Sequence, residues 1–490
     1  MEFLNAAHPG RTAFHTAFHF ITSPILRLPD ELKLLIFTAL LESTQNSAAL
    51  ISLAATCQSF RRIIVGEPKL WNRVGADTSL FAFDKNFGFS VPEDPAKAWK
   101  ALEQVVERSL PPNYDILSPP PLSFVIDFVV NATLPKYVEA RLTKQLSEAH
   151  IDWLVDFFFD RCSHRCSHLT VRCSDWELMN SIMGLFDPDD VDGPYPSLSS
   201  ITLEYVPPGR GYLPAHPAGE LVPSSPLAFY PRSEASEIFQ DTSQYSVYMI
   251  PSLTGVVLDG FPLMYEHFCP DALTSLAIRN VSQETDDLDF GALVQVLKRN
   301  CNTLRSLKLG VGALPLDVPE IYAKIVLPKL TELEVDYLDP REMLYLTTYI
   351  EVPSLTRLTI ANSIESNPRF DLKTYLFNDM AQYTIAAYKA VLKSWPLQQV
   401  IHLGLRSAAF YNTVDNPVYD LENCHKRWNG PMPVSSEFFY RFEALETYSF
   451  KDPDLTVSLT IWNPLYFKDE NGEFVERKFF PKLRRPLVRS

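Results

Sequence analysis

Residues 304–309 read LRSLKL, and five further segments repeat this pattern of Leu-x-x-apolar-x-apolar. The other copies are LSSITL from residue 198, LTGVVL from 253, LTSLAI from 273, LTELEV from 330 and LTRLTI from 355. Their starts lie 55, 20, 31, 26 and 25 residues apart. A supersecondary unit that returns at such a period buries its apolar face against its neighbours, so the pattern predicts a stacked array of repeats.

Segments with helical apolar spacing lie between some of these copies. FGALVQVLKRN (290–300) and REMLYLTTYIE (341–351) each precede the next apolar strand, which predicts a strand and a helix per repeat. The unit resembles a leucine-rich repeat. The array is irregular, because the Asn that normally closes the strand turn is displaced at Asn280 and Asn362.

The array extends beyond the six clear copies. LSFVIDFVV from residue 122, HLTVRC from 168, VIHLGL from 400 and LETYSF from 445 have strand-like patterns, so we expect residues 121–463 to form the array. The long first interval contains seven prolines between residues 207 and 231. We therefore interpret residues 207–250 as an inserted surface loop or a degraded repeat.

The C-terminal segment has a different pattern. LTVSLTIW (455–462) alternates with a period of two, and Asn471-Gly472 is a strong hairpin turn signal within YFKDENGEFVERKFF. We expect residues 464–490 to comprise a β-hairpin and a basic tail, and the hairpin to cap the array, since a terminal repeat must cover an apolar end.

An amphipathic helical segment opens near the N-terminus with LPDELKLLIFTALL from Leu28. Pro29 suits a first helical position, and the two acidic residues after it favour a helix N-terminus. Apolar spacing predicts one buried stripe and two more short helices after it. The predicted stripe of the first helix consists of Leu32, Leu35, Ile36, Ala39 and Leu40. The later stripes run from Leu50 to Cys57 and from Phe60 to Ile64.

This segment resembles an F-box. The resemblance is carried by LPDELKLLIF, LISLAATCQSFRRII and EPKLW over residues 23–74, and the irregular body is similar to that of fungal F-box proteins. An extension (1–22) would precede the F-box, and a linker or helical segment (75–120) would join it to the array. The resemblance implies binding to a Skp-type adaptor of a cullin ligase. The contact candidates by motif position are Leu28, Pro29, Leu32, Ile36 and Phe37.

Leu32 and Ile36 share the predicted buried stripe, so each is either a core residue or an interface residue. Leu28, Pro29 and Phe37 lie off that stripe, which favours them as contacts.

Charge and composition exclude several classes of function. The net charge is −15, and residues 76–475 carry about −22 of it, which would repel a phosphate backbone, so we expect no nucleic-acid partner. The sequence contains no run of 18 or more apolar residues, so we expect no membrane span. Seven cysteines, an odd number, fit a reducing compartment. We expect a protein of the cytoplasm, the nucleus or both.

Candidate metal and catalytic motifs are weak. Cys162, His164, Cys166, His168 and Cys173 are all soft ligands, but they lack the two-residue gap that turns paired ligands onto one zinc ion. Burial of these cysteines as small apolar residues between a helix and a strand is the alternative that we favour. No phosphate loop, nucleophile elbow or dinucleotide fingerprint is present in the sequence. We expect no enzyme and no cofactor.

Charged residues at outward positions of the best repeats give a candidate substrate surface. Parallel stacking about 4.8 Å apart would place Lys308 beside Glu334 and Glu332 beside Arg357. Arg305 lies at the same face. These charges either satisfy one another or exchange partners with a protein substrate of mixed charge.

The sequence thus predicts an α/β protein: a three-helix F-box, then an irregular leucine-rich-repeat solenoid with a C-terminal β-hairpin cap. The expected function is that of a substrate-recognition adaptor in a Skp-cullin-F-box ubiquitin ligase, with an unknown protein substrate. Two alternatives stay open: an F-box scaffold without a role in ubiquitination, and an enzyme whose site is assembled in the array.

Overall fold

The fold is taken from a computed structural model, which describes only part of the chain. The described residues are 24–44, 48–77, 83–84, 88–89, 95–111, 119–128, 154, 157–174, 179, 197–206, 252–260, 270–280, 290–314, 323–363, 377–406, 438–451, 465–468 and 474–477. The predicted insertion 207–250, the segment LTVSLTIW and the turn Asn471-Gly472 lie outside them.

Three helices form an N-terminal helical module, which we define as residues 24–71. They are α1 (Asp30–Thr44), α2 (Ala48–Thr56) and α3 (Gln58–Gly66), flanked by single 3-10 turns at Pro24–Arg27 and Pro68–Trp71. The Cys57 thiol caps α3 by accepting a hydrogen bond from the Phe60 amide at 3.5 Å. The three predicted helices are confirmed.

The predicted buried stripe of α1 is wrong. Leu32, Leu35 and Ile36 are 45%, 64% and 41% exposed, whereas Phe37 is 1% exposed. Phe37 packs edge-on against Phe60 with ring centroids 5.1 Å apart. The interior stripe is instead Lys33, Phe37 and Leu41, which are one helical turn apart and so share a face.

Eleven strands form one parallel sheet within the described part of the chain, and they lie side by side in chain order. They are β1 (Arg73–Asp77), β2 (Leu122–Phe128), β3 (Cys166–Cys173), β4 (Ser200–Tyr205), β5 (Gly255–Asp259), β6 (Ser275–Arg279), β7 (Ser306–Leu309), β8 (Glu332–Tyr337), β9 (Arg357–Asn362), β10 (His402–Arg406) and β11 (Thr447–Lys451). Every predicted repeat strand and every predicted outer strand is therefore confirmed as a member of this sheet.

The repeat motif places its apolar residues in one core. Numbering the leading Leu as position 1, positions 1, 4 and 6 are buried in all six copies. The strand begins at position 3, so positions 4 and 6 point to one face and positions 3, 5 and 7 to the other. Leu304, Leu307 and Leu309 show this pattern with at most 1% exposure.

A ladder of hydroxyl groups joins the repeats at position 2. Thr356 Oγ1 donates to the Thr331 carbonyl at 3.1 Å, and Thr331 Oγ1 donates to the Arg305 carbonyl at 3.2 Å. Four more bonds of this kind start from Ser167, Ser199, Thr254 and Thr274. The Thr331 and Arg305 carbonyls also accept two backbone amides each from the next repeat, so the hydroxyl groups add a further bond to carbonyls that already join the repeats.

In the described part of the chain, four α-helices lie between strands of the sheet. They are α4 (Pro95–Arg108), α5 (Phe290–Arg299), α6 (Pro340–Tyr349) and α7 (Phe377–Ser394), so the two predicted helices are confirmed. At α6, the Asp339 carboxylate accepts from the Arg341 amide at 2.8 Å, and Glu342 Oε1 accepts from the Asp339 amide at 3.3 Å. The Asp339 side chain also accepts from the Glu342 backbone, which completes a capping box and begins the helix at Pro340.

The helical module and the sheet share one hydrophobic core. Trp71 is 1% exposed, its indole N–H donates to the Ile64 carbonyl at 2.6 Å, and Arg108 lies 4.8 Å above its ring. Trp71 precedes Val74 by three residues, as position 1 precedes position 4, and Val74 is in register with Phe124 of β2. The boundary expected at residue 74 therefore falls inside β1.

Three short strand pairs complete the described structure, two antiparallel and one parallel. The strands β12 (Leu465–Lys468) and β13 (Phe474–Arg477) pair antiparallel, with Phe467 opposite Val475. A second pair joins Phe83–Asp84 to Gly88–Phe89. Ile325–Val326 and Ile350–Glu351 form a separate parallel pair. Among the helices that the structure describes, none is both long and apolar enough to cross a membrane.

Candidate functional site

The first candidate site is the exposed apolar face of α1, formed by Leu32, Leu35 and Ile36, which we call the α1 apolar face. Apolar side chains on an exposed helix face mark a protein contact when they are grouped, whereas single ones are ordinary. Complete burial of these three side chains by a partner would contribute roughly 1 kcal/mol apiece beyond their present burial.

An ion cluster lies at the N-terminal end of this face. Asp30 accepts from Lys33 at 3.0 Å and from Arg62 of α3 at 2.7 Å. The hydrogen bond from Lys33 is the main cause that lowers the pKa of Asp30 below its ordinary value. Asp30 thus links the start of α1 to α3 through an ion pair at the surface.

The five predicted adaptor contacts are placed differently by the structure. Leu32, Ile36 and Pro29 are exposed and available to a partner, and Leu28 is half-buried. Phe37 is a core residue, so its expected position off the buried stripe is wrong. Leu35 is 64% exposed on the same face and was not among the predicted contacts, which were chosen by motif position.

The second candidate site is the outward face of the sheet at positions 3, 5 and 7, which we call the outward sheet face. The predicted neighbours are confirmed: Glu334 is in register with Lys308, and Glu332 with Arg357. Lys308 Nζ lies 3.3 Å from Glu332 Oε1 and 3.6 Å from Glu334 Oε2.

Two arginines from more distant strands also reach Glu334. Arg279 of β6 lies 3.5 Å from Glu334 Oε2, and Arg406 of β10 lies 3.2 Å from Glu334 Oε1. They span the intervening strands because the facing positions hold Gly310, which follows β7, and Ala361 on β9. The register of position 7 along the repeats was the signal that could have revealed both arginines.

The carboxylates that β8 places on the outward sheet face already have hydrogen-bond or ion-pair partners within the protein. Burial opposes ionisation of Glu332, but the hydrogen bond from Ser306 and the charge of Lys308 outweigh it and lower its pKa. Burial raises the pKa of Asp336 despite its hydrogen bond from Ser363 at 2.6 Å. Glu334 is surrounded by three cations and has a side chain only 14% exposed.

The cysteine and histidine cluster does not converge on one point. Cys162, Cys166 and Cys173 are buried, and His164 and His168 are exposed. Burial raises the pKa of Cys166 to about 12, so this thiol stays protonated and apolar in character. Cys162 ends a helical turn and Cys166 begins β3. The described residues include no group of three or more His, Cys, Asp or Glu side chains placed to hold a metal ion.

Comparison with known families identifies the helical module. Residues 25–76 match the profile of the F-box-like family, which spans the three helices and most of β1. The chain therefore carries an F-box-like domain, and such a domain implies binding to a Skp-type partner. F-box domains are typically adaptors rather than enzymes. A search of curated proteins found no match to this chain.

Proposed function

We propose that this chain is a substrate-recognition adaptor of a Skp-cullin-F-box ubiquitin ligase, in which the α1 apolar face binds the Skp-type subunit. The observation that carries the proposal is the exposure of Leu32, Leu35 and Ile36 on a module that matches the F-box-like family. An isolated soluble module would gain stability by turning this face inward, whereas a docking module needs it outside.

We also propose that the body is a leucine-rich-repeat solenoid, capped at its C-terminal end by β12 and β13, and that it holds a protein substrate. Support comes from strands that follow one another in chain order and from the buried position-1 leucine of each clear copy. Repeat arrays of this kind present an extended sheet surface to a partner. In this arrangement the chain performs no chemistry and works in the cytoplasm, the nucleus or both.

Co-purification with a Skp-type adaptor tests the proposed docking face. The double variant Leu32→Asp with Ile36→Asp places two carboxylates on the exposed face and leaves the buried residues of the module unchanged. The module should therefore stay folded, whereas adaptor capture should be lost, because burial of these carboxylates by a partner is costly. Val326→Asp is the matched control, because Val326 is 46% exposed on a strand of the body. Thermal unfolding of each variant checks that folding is intact.

Full adaptor capture by the folded double variant would overturn the assigned face. A ubiquitination assay with the cullin complex tests the remainder of the proposal. Adaptor capture without ubiquitin transfer to any protein bound by the body would identify a scaffold instead.

A further inference from the structure

The charges of the outward sheet face are divided along the sheet. On β2 to β5 the face carries Asp127, Glu204 and Asp259 against Arg172, which pairs with Asp127 at 2.7 Å and Glu204 at 2.6 Å. Counting one cation against three carboxylates gives a net charge of −2 for these four strands.

The half from β6 to β10 has the opposite sign. With Arg305, which directly precedes β7, this half carries five cations and three carboxylates, a net charge of +2. The cations are Arg279, Arg305, Lys308, Arg357 and Arg406, and the carboxylates are Glu332, Glu334 and Asp336. This positive surface belongs to a chain whose net charge is −15, so it is a local feature and does not follow from overall composition.

Three of the five cations of this half are more accessible than two of its carboxylates. Arg305, Arg357 and Arg406 are exposed, whereas Glu334 and Asp336 are half-buried. A partner that approaches the sheet therefore meets these three guanidinium groups, whereas Glu334 and Asp336 are less accessible and already paired. Guanidinium groups form charge-assisted, bidentate hydrogen bonds with carboxylates.

Small residues keep the floor of this surface open. A Cβ atom at Gly310 would lie 2.9 Å from Arg279 Cγ, and one at Gly404 would lie 2.7 Å from Thr359 Oγ1. Both distances are shorter than ordinary contacts, so a larger residue at either position would displace its neighbour. Gly310 therefore leaves room for the Arg279 side chain to extend across β7, and Gly404 leaves the surface beside Arg406 free of a side chain.

We propose that the outward face of β6 to β10 binds an extended acidic peptide segment of the substrate protein, with Arg305, Arg357 and Arg406 contacting its carboxylates. This inference rests on the proposed function, for which it names the substrate class. Five adjacent strands span about 19 Å, the length of about six extended residues. An extended segment with an acidic side chain at every second residue directs all of its carboxylates to one side.

Fluorescence anisotropy of a labelled peptide of alternating Glu and Ser, with alternating Gln and Ser as its neutral control, tests the proposal on the full chain. The double variant Arg357→Gln with Arg406→Gln should weaken binding of the Glu peptide about tenfold. The matched control Lys389→Gln with Lys393→Gln removes two exposed cations from α7 and should leave binding unchanged. Binding should also weaken as salt is raised.

Equal binding of the Glu and Gln peptides, or equal weakening by both double variants, would overturn the proposal. Co-purification of each double variant with the Skp-type adaptor separates the two ideas. Lost peptide binding with the adaptor still captured tests this inference alone. If the wild-type chain bound the Glu peptide but did not capture the adaptor, that result would count against the proposed function instead.

Discussion

Two neighbouring residues of α1 have opposite roles. Leu35 is exposed at the α1 apolar face, and Phe37 is enclosed against Phe60. Because truncation of a buried aromatic leaves a cavity and truncation of an exposed leucine does not, their alanine variants separate stability from docking.

We expect Phe37→Ala to lower the free energy of unfolding by about 3–5 kcal/mol and Leu35→Ala to change it by less than about 0.5 kcal/mol. Leu35→Ala should nevertheless weaken adaptor capture. Urea unfolding and adaptor affinity, measured on both variants, check this contrast. A stability loss at Leu35 as large as that at Phe37 would show that Leu35 is a core residue.

Each bond of the hydroxyl ladder is donated by one Ser or Thr side chain, so a single substitution can remove it. Thr331→Val removes one donor at nearly constant shape and leaves the Arg305 carbonyl without that bond, so we expect a loss of about 1 kcal/mol. Thr359→Val on the neighbouring strand is the control, because Thr359 lies on the outward sheet face and is not a member of the ladder. Chemical denaturation measures both. Equal effects of the two substitutions would show that the ladder adds nothing to stability.

The residue pattern predicted part of this picture. Leucines at position 1 located every clear strand, and the x positions predicted the neighbours Lys308–Glu334 and Glu332–Arg357. The residue after the leading Leu is Ser or Thr in five of the six copies, which could have predicted the ladder. The α1 stripe was misassigned because Lys33, Phe37 and Leu41 repeat with the same helical spacing as Leu32 and Ile36, and periodicity alone cannot show which stripe faces inward.

At the scale of elements, the start of α6 contains a buried acid. Glu342 is completely buried, and its Oε2 atom has no hydrogen-bond partner. Burial, and then the charge of Asp339, raise the pKa of Glu342 well above its ordinary value of 4.5. The capping box therefore places a carboxyl group that prefers its neutral form next to β8 and its paired charges.

This acid makes stability depend on pH in a defined direction. The folded state keeps the Glu342 proton at pH values where the unfolded state has lost it, so its contribution is fully present below about pH 4.5 and declines as pH rises toward the raised folded pKa. Glu342→Gln cannot ionise, so the stability of the wild type relative to this variant should fall as the pH is raised from about 4.5 toward the raised folded-state pKa.

Urea unfolding of the two proteins across that range measures the difference. A difference that stays constant with pH would contradict the assigned burial of an ionisable group at this position.

Strand order was the most predictable element-scale feature, since each repeat strand pairs with the next one along the chain. The pairing of β1 was not expected, because residues 75–120 were interpreted as a linker or helical segment. Its sequence RVGAD contains a single large apolar residue, so periodicity gives no strand signal there. The neighbouring Trp71 and the adjacent β2 supply the contacts that make it a strand.

At the scale of the whole molecule, the docking module is built into the sheet. Trp71 ends the helical module and occupies the place of a position-1 leucine before β1. One core cluster contains Phe37 of α1, Trp71 and Leu358 of β9. The α1 apolar face and the outward sheet face are thus held on one continuous core, which suits a chain that must present one partner to another.

The most direct test of this account is hydrogen exchange of the full chain with and without a Skp-type adaptor. We predict slower amide exchange in the module that bears Leu32, Leu35 and Ile36, with unchanged exchange in β6 to β10, which stays free for a substrate. Protection of β6 to β10 without protection of α1 would contradict the account, because the adaptor would then occupy the sheet surface assigned to the substrate.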